Sequence, residues 1–188
     1  MADASGRIEL TGDTRGGVSD DTVAEAAAAR SARVRVQTAD FSLNEEVERL
    51  RLADPGVGAV VSFVGCVRDM GSGRSVSAME LEHYPGMTER SIEAMIDAAH
   101  ERFDIRGAVV VHRVGRLLPT DQIVLVAVAS AHRGQAFSAC EFLMDYLKTE
   151  APFWKKEDTS AGSVWVDARS SDDEALSRWG VTAGNAPR

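Results

Sequence analysis

AVVVHRVGRLLPTDQIVLVAVA, the stretch from Ala108 to Ala129, holds two runs of aliphatic and β-branched residues around a polar connection. Such runs are typical of buried β-strands, and we predict strands over Ala108–Val114 and Gln122–Ala129. The connection between them, Gly115 to Asp121, contains glycine and proline and is interpreted as a loop. We therefore expect this stretch to contribute two strands to a sheet.

Amphipathic helices are predicted on either side of this stretch. Upstream, Met87 to Phe103 carries apolar residues at helical spacing. Downstream, Ala136 to Leu147 has the same periodicity, and Pro152 prevents the helix from continuing much further. Each helix has one apolar face, so we expect both to cover the sheet.

Further elements complete the predicted order. Gly58 to Val64 and Val76 to His83 are expected to pair as a hairpin across a flexible turn. The remaining elements are a strand around Val34 and Val36, a helix from Asn44 to Leu52, a strand from Ser163 to Ala168 and a helix around Asp173 to Trp179. This order predicts an α+β domain with a mixed or largely antiparallel sheet covered by helices.

The chain length suits one ordinary domain, since 188 residues with 44% apolar content can bury a single core. Residues 1–33 contain almost no large apolar side chain, so we predict a disordered N-terminal extension. A single catalytic domain is expected over residues 34–180, followed by a polar tail over residues 181–188.

Charge and cysteine content exclude several classes of protein. A formal net charge of -8 argues against a broad nucleic-acid surface, so any anion site must be local. Cys66 and Cys140 show no CxxC spacing and the histidines show no ligand spacing, so neither a disulfide framework nor a metal site is predicted. No secretory signal is visible, and the longest apolar run, Ile123 to Ala129, is too short to cross a membrane. We expect a cytoplasmic protein with reduced thiols.

The lysines of this chain are few and clustered. Against 18 arginines there are three lysines, Lys148, Lys155 and Lys156. An amine can lose its proton when burial or neighbouring cations lower its pKa, whereas a guanidinium effectively cannot, so lysine can act as a base or a nucleophile. The cluster indicates an active site, with accidental clustering as the alternative.

The elements around Lys148 and Lys155 suggest how the two amines are placed. On a helix, Lys148 projects beside Phe137 and Met144, at the margin of the apolar face, where an amine is partly desolvated. The alternative is a lysine that only covers the edge of the core. Lys155 follows a stiff segment containing Pro152 and two aromatic residues, which could point it back toward Lys148.

Three further cationic or titratable residues are candidates for anion binding. His132 and Arg133 lie where the second predicted strand meets the following helix, and helix N-termini attract anions. A guanidinium there suits phosphate, while the histidine could transfer a proton or form a hydrogen bond. Arg68 follows a strand at a loop, where binding residues often gather. The alternative for all three is a solvated or capping side chain.

Four motifs occur along the chain in a fixed order. They are Phe63-Val-Gly-Cys-Val-Arg68, Leu81-Glu-His-Tyr-Pro-Gly-Met-Thr88, Ser130-Ala-His-Arg133 and Met144-Asp-Tyr-Leu-Lys-Thr-Glu-Ala-Pro-Phe-Trp-Lys155. Together, over about Phe41 to Arg169, they closely resemble the large, catalytic subunit of molybdopterin synthase, the MoaE family. The resemblance does not cover the N-terminal extension.

The resemblance implies an enzyme of molybdenum cofactor biosynthesis, a sulfurtransferase that converts cyclic pyranopterin monophosphate to molybdopterin. The two sulfurs arrive on a small ubiquitin-like subunit of the MoaD type, whose C-terminal Gly-Gly thiocarboxylate enters the large subunit's pocket. Two large subunits form a homodimer at the centre of a heterotetramer. The implied fold is an α/β hammerhead with an additional antiparallel β subdomain, and the large subunit needs no cofactor of its own.

The resemblance also implies a set of site residues. The catalytic pair is Lys148 and Lys155. The substrate-binding residues are Cys66, Val67, Arg68, His132, Arg133, Lys148, Lys155, Lys156 and Glu157. Arg169 matches a family arginine near the pocket and is a secondary candidate.

Each implied residue has an expected role. Arg68 and Arg133 are expected to hold phosphate. Lys148 would contact the thiocarboxylate or the carbon that it attacks, and Lys155 would assist proton transfer or hold the anionic intermediate. At the position of Cys66 the family often has lysine, so a contact from the Cys66 backbone is expected.

Two other classes of function fit the same cation cluster. A non-catalytic module would clamp the terminal carboxylate of a ubiquitin-like tail and would show binding without turnover. An unrelated phosphate-ester enzyme would bind its substrate with no partner protein present. The chain has no adenylation signature, so activation of the partner's carboxylate is expected elsewhere.

Overall fold

The computed structural model of the protein describes residues 33–71, 74–159, 162–166 and 175–181. Its elements are β1 (Val34–Gln37), α1 (Leu43–Ala53), β2 (Ala59–Cys66), β3 (Met70–Gly71), β4 (Arg74–His83), α2 (Met87–Arg102), β5 (Gly107–Arg113), β6 (Gly115–Leu117), β7 (Gln122–Ser130), α3 (Arg133–Glu150), β8 (Phe153–Thr159) and β9 (Gly162–Val166). The helices and two sheets confirm the predicted α+β class.

Some predictions fall on residues outside the described part. These are the expected extension before Arg33, the polar tail after Val181, and the secondary site candidate Arg169. Arg33 itself is ion-paired with Glu93 and Asp97 on α2. None of the described helices is long and apolar enough to span a membrane.

The first sheet has the strand order β1-β5-β7-β2 and is mixed. β1 runs parallel to β5, whereas β5 and β2 both run antiparallel to β7. The two strands predicted from Ala108 to Ala129 are therefore confirmed as β5 and β7, the inner strands of this sheet. β2 forms one edge, and its residue Phe63 is 40% exposed.

Helices cover both faces of this sheet, which explains why β5 and β7 are apolar at nearly every position. Val110, Val126 and Val128 belong to the core cluster formed with α2 and α3. The alternating residues Val109 and Leu125 belong to a second cluster with Leu50 of α1 and with Phe41. Successive side chains of a strand point to opposite faces, so a strand buried on both sides has no polar alternation.

The second sheet is antiparallel and has the order β3-β4-β8-β9, with β6 also paired to β4. It corresponds to the additional antiparallel unit that the resemblance implied. Its core contains Val67, Met79, Leu81 and Leu117. The chain passes from the first sheet to the second immediately after β2, at Val67.

The predicted hairpin between Gly58–Val64 and Val76–His83 is wrong. Strand β2 pairs with β7, and β4 pairs with β8, so the two segments belong to different sheets. Hydrophobic patterning indicates that a segment is a strand but carries little information about its partner, which depends on long-range burial. Proximity in the chain favoured the hairpin, and the tertiary fold overrode it.

Three strands lie in segments that were not predicted as strands, and the first is the two-residue β3 in the predicted flexible turn. β6 occupies the first three residues of the supposed loop from Gly115 to Asp121, because Leu117 is fully buried against β4. β8 has the sequence FWKKEDT, whose charged residues have low strand propensity. It forms because β4 and β9 satisfy its backbone hydrogen-bonding groups from both sides.

Candidate active site

A cavity of about 750 Å³ lies where the ends of β2, β5 and β7 meet the last turn of α3 and the start of β8. Residues from all these elements line it, among them Cys66, Arg68, His112, Met144, Lys148 and Phe153. The described lining includes two cations, Arg68 and Lys148, and no carboxylate. A cleft whose described charged lining residues are both cations favours an anionic ligand.

A second hollow of about 490 Å³ adjoins the cavity and shares Phe63, Met144 and Lys148 with it. It follows the groove between the edge strand β2 and α3 as far as Phe137. The predicted projection of Lys148 beside Phe137 and Met144 is therefore confirmed. Lys148 lies in the last turn of α3, where the helix dipole favours a positive charge.

Lys155 lies on β8, two residues after the cavity-lining Phe153. Strand alternation puts Phe153, Lys155 and Glu157 on the same face of the sheet. The Nζ atom of Lys155 is 2.9 Å from Oε1 of Glu157, whose side chain is only 8% exposed. Glu157 therefore holds the amine of Lys155 in a defined place beside the cavity.

Lys156 projects from the opposite face of β8. Its Nζ atom lies 5.8 Å from the ring centroid of Trp165 on β9, within the range of a cation–π contact. Within one chain Lys148 lines the cavity and Lys155 lies beside it, whereas Lys156 points away from both. Its predicted role in substrate binding stays a prediction.

The three residues from Cys66 to Arg68 form one rim of the cavity. Val67 is a core residue, 3% exposed, whose amide donates to the Asp121 carbonyl oxygen at 2.9 Å while its own carbonyl accepts from the Thr120 amide at 2.8 Å. These contacts anchor Cys66 and Arg68, which are both exposed and line the cavity. Val67 thus supports the site by positioning its neighbours.

His132 and Arg133 lie at the other end of α3. His132 is the N-cap residue, although its side chain makes no capping hydrogen bond, and Arg133 begins the helix. With a rise of about 1.5 Å per residue, Arg133 and Lys148 are roughly 22 Å apart along the helix axis. One chain therefore does not bring these predicted anion-binding residues into the cavity that contains Lys148.

Arg68 and Arg133 share a further property. Both are exposed, and neither pairs with a carboxylate among the residues that the structure describes. Other arginines do pair in this way, including Arg35 with Glu46 and Arg106 with Asp54. The two guanidinium groups are thus free to bind an external anion in bidentate geometry.

Ser130 fastens the chain just before α3. Its side chain is fully buried, donates to the Asp104 carbonyl oxygen at 2.7 Å and accepts from the His132 amide at 3.2 Å. We expect Ser130→Ala to lower the free energy of unfolding by about 1–3 kcal/mol, because it leaves two backbone groups without these partners. Urea unfolding followed by circular dichroism measures the change.

The matched control for this prediction is Ser138→Ala, a partly buried serine on α3. Because no described hydrogen bond depends on it, the control should stay within about 0.5 kcal/mol of the wild type. Equal losses in the two variants would contradict the anchoring role of Ser130.

His112 is a cavity residue that sequence reasoning did not select. It lies on β5, is 7% exposed, and its ring stacks on that of Phe153 with centroids 3.7 Å apart. Burial lowers the pKa of His112 to about 4, so its ring is neutral at physiological pH. The available signal was a histidine at a position of β5 where every neighbour on the same face is apolar.

Comparison with known proteins gives a consistent result. The family model described as MoaE protein matches residues 36–150. The molybdopterin synthase catalytic subunit of Ralstonia nicotianae is 61% identical over 153 residues, which cover 81% of this chain and 87% of that protein.

Two solved structures share the fold. The molybdopterin biosynthesis MoaE protein from Burkholderia ambifaria has 60% sequence identity and a TM-score of 0.70, covering 80% of this chain and 99% of its own. Molybdopterin synthase from Staphylococcus aureus has 31% identity and a TM-score of 0.66, covering 71% of this chain and 96% of its own. The family match, the identity and the shared fold agree, and the chain belongs to the MoaE protein family.

Proposed function

We propose that this protein is the catalytic subunit of a molybdopterin synthase and acts in molybdenum cofactor biosynthesis. It would convert cyclic pyranopterin monophosphate to molybdopterin by installing two dithiolene sulfurs, as a cytoplasmic sulfurtransferase. The observation that carries this proposal is the 750 Å³ cavity, in which Arg68 and Lys148 are the described charged lining residues. Family membership and the identity to molybdopterin synthase catalytic subunits support the same reaction.

The sulfur donor we propose is the C-terminal Gly-Gly thiocarboxylate of a small ubiquitin-like subunit of the MoaD type. A thiocarboxylate is an anion, and the two described charged residues that line the cavity, Arg68 and Lys148, are both cations. Phe63, Met144 and Phe153 form apolar walls on which the tail and the pterin ring could pack, and a bound tail would displace water and strengthen the electrostatic attraction.

The proposed roles of the two lysines follow from their surroundings. Lys148 would hold the thiocarboxylate against the substrate carbon and stabilise the negative charge that develops there. Lys155 would stabilise the anionic intermediate or transfer a proton, with its position held by Glu157. Cys66, at the rim of the cavity, would contact the substrate through its backbone.

We infer that the site is completed by a second copy of the chain. One face of α3 carries residues at helical spacing, four or seven positions apart: Arg133, Phe137, Met144 and Lys148. If two copies pack by a twofold axis with these faces antiparallel, Arg133 of one copy lies beside Lys148 of the other. Phe137, which is 62% exposed in the single chain, would then be buried.

This arrangement supports a homodimer at the centre of a heterotetramer. Each cavity would take His132 and Arg133 from the second copy and the tail of one small subunit from outside. The phosphate would be held by Arg68 and by the Arg133 of the second copy, two guanidinium groups that make no described ion pair within the chain.

A reconstitution experiment tests the proposed reaction. The purified chain, mixed with cyclic pyranopterin monophosphate and a thiocarboxylated small subunit, should form the dithiolene product and consume two thiocarboxylates per molecule. A small subunit that ends in an ordinary carboxylate should give no product. Mass spectrometry of the pterin and of the small subunit measures both quantities.

The two alternative functions give different outcomes in the same experiment. A binding module would retain the small subunit's tail but leave the pterin unchanged. A phosphate-ester enzyme would release phosphate from its substrate without any small subunit. Either outcome would overturn the proposed function.

A further inference from the structure

His112 is the buried polar side chain in the wall of the cavity that the proposed reaction leaves without a role. It lies on β5, opposite the register position of Val124, and lines the same cavity as Arg68 and Lys148. Burying a polar group in an otherwise apolar strand removes its hydration, which lowers the stability of the fold unless the group forms a hydrogen bond. The partners of its two ring nitrogens therefore need to be accounted for.

The ring nitrogens of His112 have different environments. Nδ1 lies 2.8 Å from the carbonyl oxygen of Arg113. A carbonyl oxygen only accepts hydrogen bonds, so Nδ1 carries the hydrogen and donates it. In the neutral ring Nε2 is then an acceptor, and none of the described residues donates to it.

The plane of the His112 ring is also fixed. Phe153 stacks on it with ring centroids 3.7 Å apart and an interplanar angle of 16°. The stacking partner covers one face, and the Arg113 carbonyl holds one edge. The lone pair of Nε2 thus has a defined direction, as a recognition group requires.

The charged surroundings of His112 keep the ring neutral. The titratable or charged groups around it are His83 on β4, Arg113 on its own strand, and the cavity cations Arg68 and Lys148. The pKa of His112 is lowered to about 4, chiefly by burial and to a smaller extent by His83, while the hydrogen bond to the Arg113 carbonyl opposes the shift. Nε2 therefore keeps its lone pair at physiological pH.

We propose that His112 is a substrate-binding residue, whose Nε2 accepts a hydrogen bond from an N–H group of the pterin ring system. This inference rests on the proposed function and extends it, because it assigns the residue that recognises the heterocycle. The cations Arg68 and Lys148 attract the anionic groups but cannot accept a hydrogen bond. A pterin presents several N–H donors, so an acceptor in the apolar wall complements the cations.

His112→Phe tests the proposal, because phenylalanine keeps an aromatic ring that can stack on Phe153 but has no acceptor. We expect the KM for cyclic pyranopterin monophosphate to rise about tenfold, as for the loss of one buried hydrogen bond, with kcat within about threefold of the wild type. His112→Gln retains an acceptor and should recover part of the affinity. His100→Phe, an exposed histidine on α2, is the matched control.

A spectroscopic measurement on the wild-type protein tests the proposed hydrogen bond to His112 even if the His112 variants bind weakly because they fold poorly. In protein labelled with ¹⁵N-histidine, the Nε2 resonance of His112 is identified by its absence from His112→Gln. Binding of the substrate should move this resonance upfield, as expected when a neutral ring nitrogen accepts a hydrogen bond. An unmoved resonance at saturating substrate would overturn the proposal.

The outcomes for His112 and for the proposed function are separable. If the wild type forms no dithiolene product, the proposed function fails, and equilibrium binding of cyclic pyranopterin monophosphate still tests His112. Binding about tenfold weaker in His112→Phe than in His100→Phe supports the inference. Equal binding in the two variants, or an unchanged KM in an active enzyme, overturns it.

Discussion

Lys148→Ala should reduce single-turnover formation of molybdopterin by about 10²–10⁴-fold, with the thiocarboxylated small subunit still bound. The expectation follows from position, since Lys148 lines both the cavity and the adjoining groove. Its amine lies at the C-terminal end of α3, where the carboxyl-terminal carbonyl groups of the helix help to hold a cation. Rapid mixing of the preformed complex with substrate, followed by assay of the dithiolene product, measures the rate.

Two further variants define what the amine of Lys148 does. Lys148→Arg keeps the positive charge but cannot give up a proton at neutral pH. Recovery of turnover in this variant indicates electrostatic stabilisation, whereas turnover as slow as in Lys148→Ala indicates that proton transfer is required. Arg51→Ala removes an exposed cation from α1, on the opposite face of the first sheet, and should leave the rate unchanged. Wild-type turnover by Lys148→Ala would refute the assigned role.

Mixing two inactive variants should restore activity if each site draws residues from two chains. Arg133→Ala and Lys148→Ala are each expected to lose at least about 100-fold in rate as homodimers. In a mixed dimer, one of the two sites combines the intact Lys148 of one chain with the intact Arg133 of the other. Random exchange of subunits should therefore restore about one quarter of wild-type activity.

The control for this experiment mixes Lys148→Ala with Lys155→Ala. Both lysines belong to the same chain's cavity region, so every site in a mixed dimer lacks one of them. No activity should return. Recovery in the control, or no recovery with Arg133→Ala, would contradict a site shared between two copies in the proposed manner.

Local patterns predicted the central part of the fold well. The apolar runs from Ala108 to Ala129 became β5 and β7, and the two amphipathic segments became α2 and α3. These elements could be predicted because burial of a strand on two faces, or of a helix on one face, produces a characteristic pattern of apolar residues along the sequence. Sheet partners leave no such trace, which explains the wrong hairpin between Gly58–Val64 and Val76–His83.

The short strand β6 and the charged strand β8 were missed for a related reason. Three residues are too few to show alternation, and the sequence FWKKEDT has low intrinsic strand propensity. Both become strands because β4 lies beside them and pairs with their backbones. That neighbour comes from a distant part of the chain.

For the candidate site as well, some features could be predicted from the sequence and others depend on the tertiary structure. Sequence motifs alone selected Arg68, Lys148 and Lys155. Their expected chemistry could also be predicted, because the charge and hydrogen-bonding capacity of an amine or a guanidinium group follow from the residue type. Lys155 and Lys156, however, are adjacent in the chain and point to opposite faces of β8. Only the strand conformation separates them.

His112 and Arg133 depend still more on the tertiary structure. The sequence shows only that His112 stands among apolar residues of a strand, whereas its place in the cavity wall and its ring contacts with Arg113 and Phe153 come from the tertiary structure. Arg133 lies in its own motif, Ser130 to Arg133, at the far end of α3 from Lys148. The chemical identity of each group is local in the sequence, whereas its distance from the others depends on how helices and sheets pack, and that packing is not local.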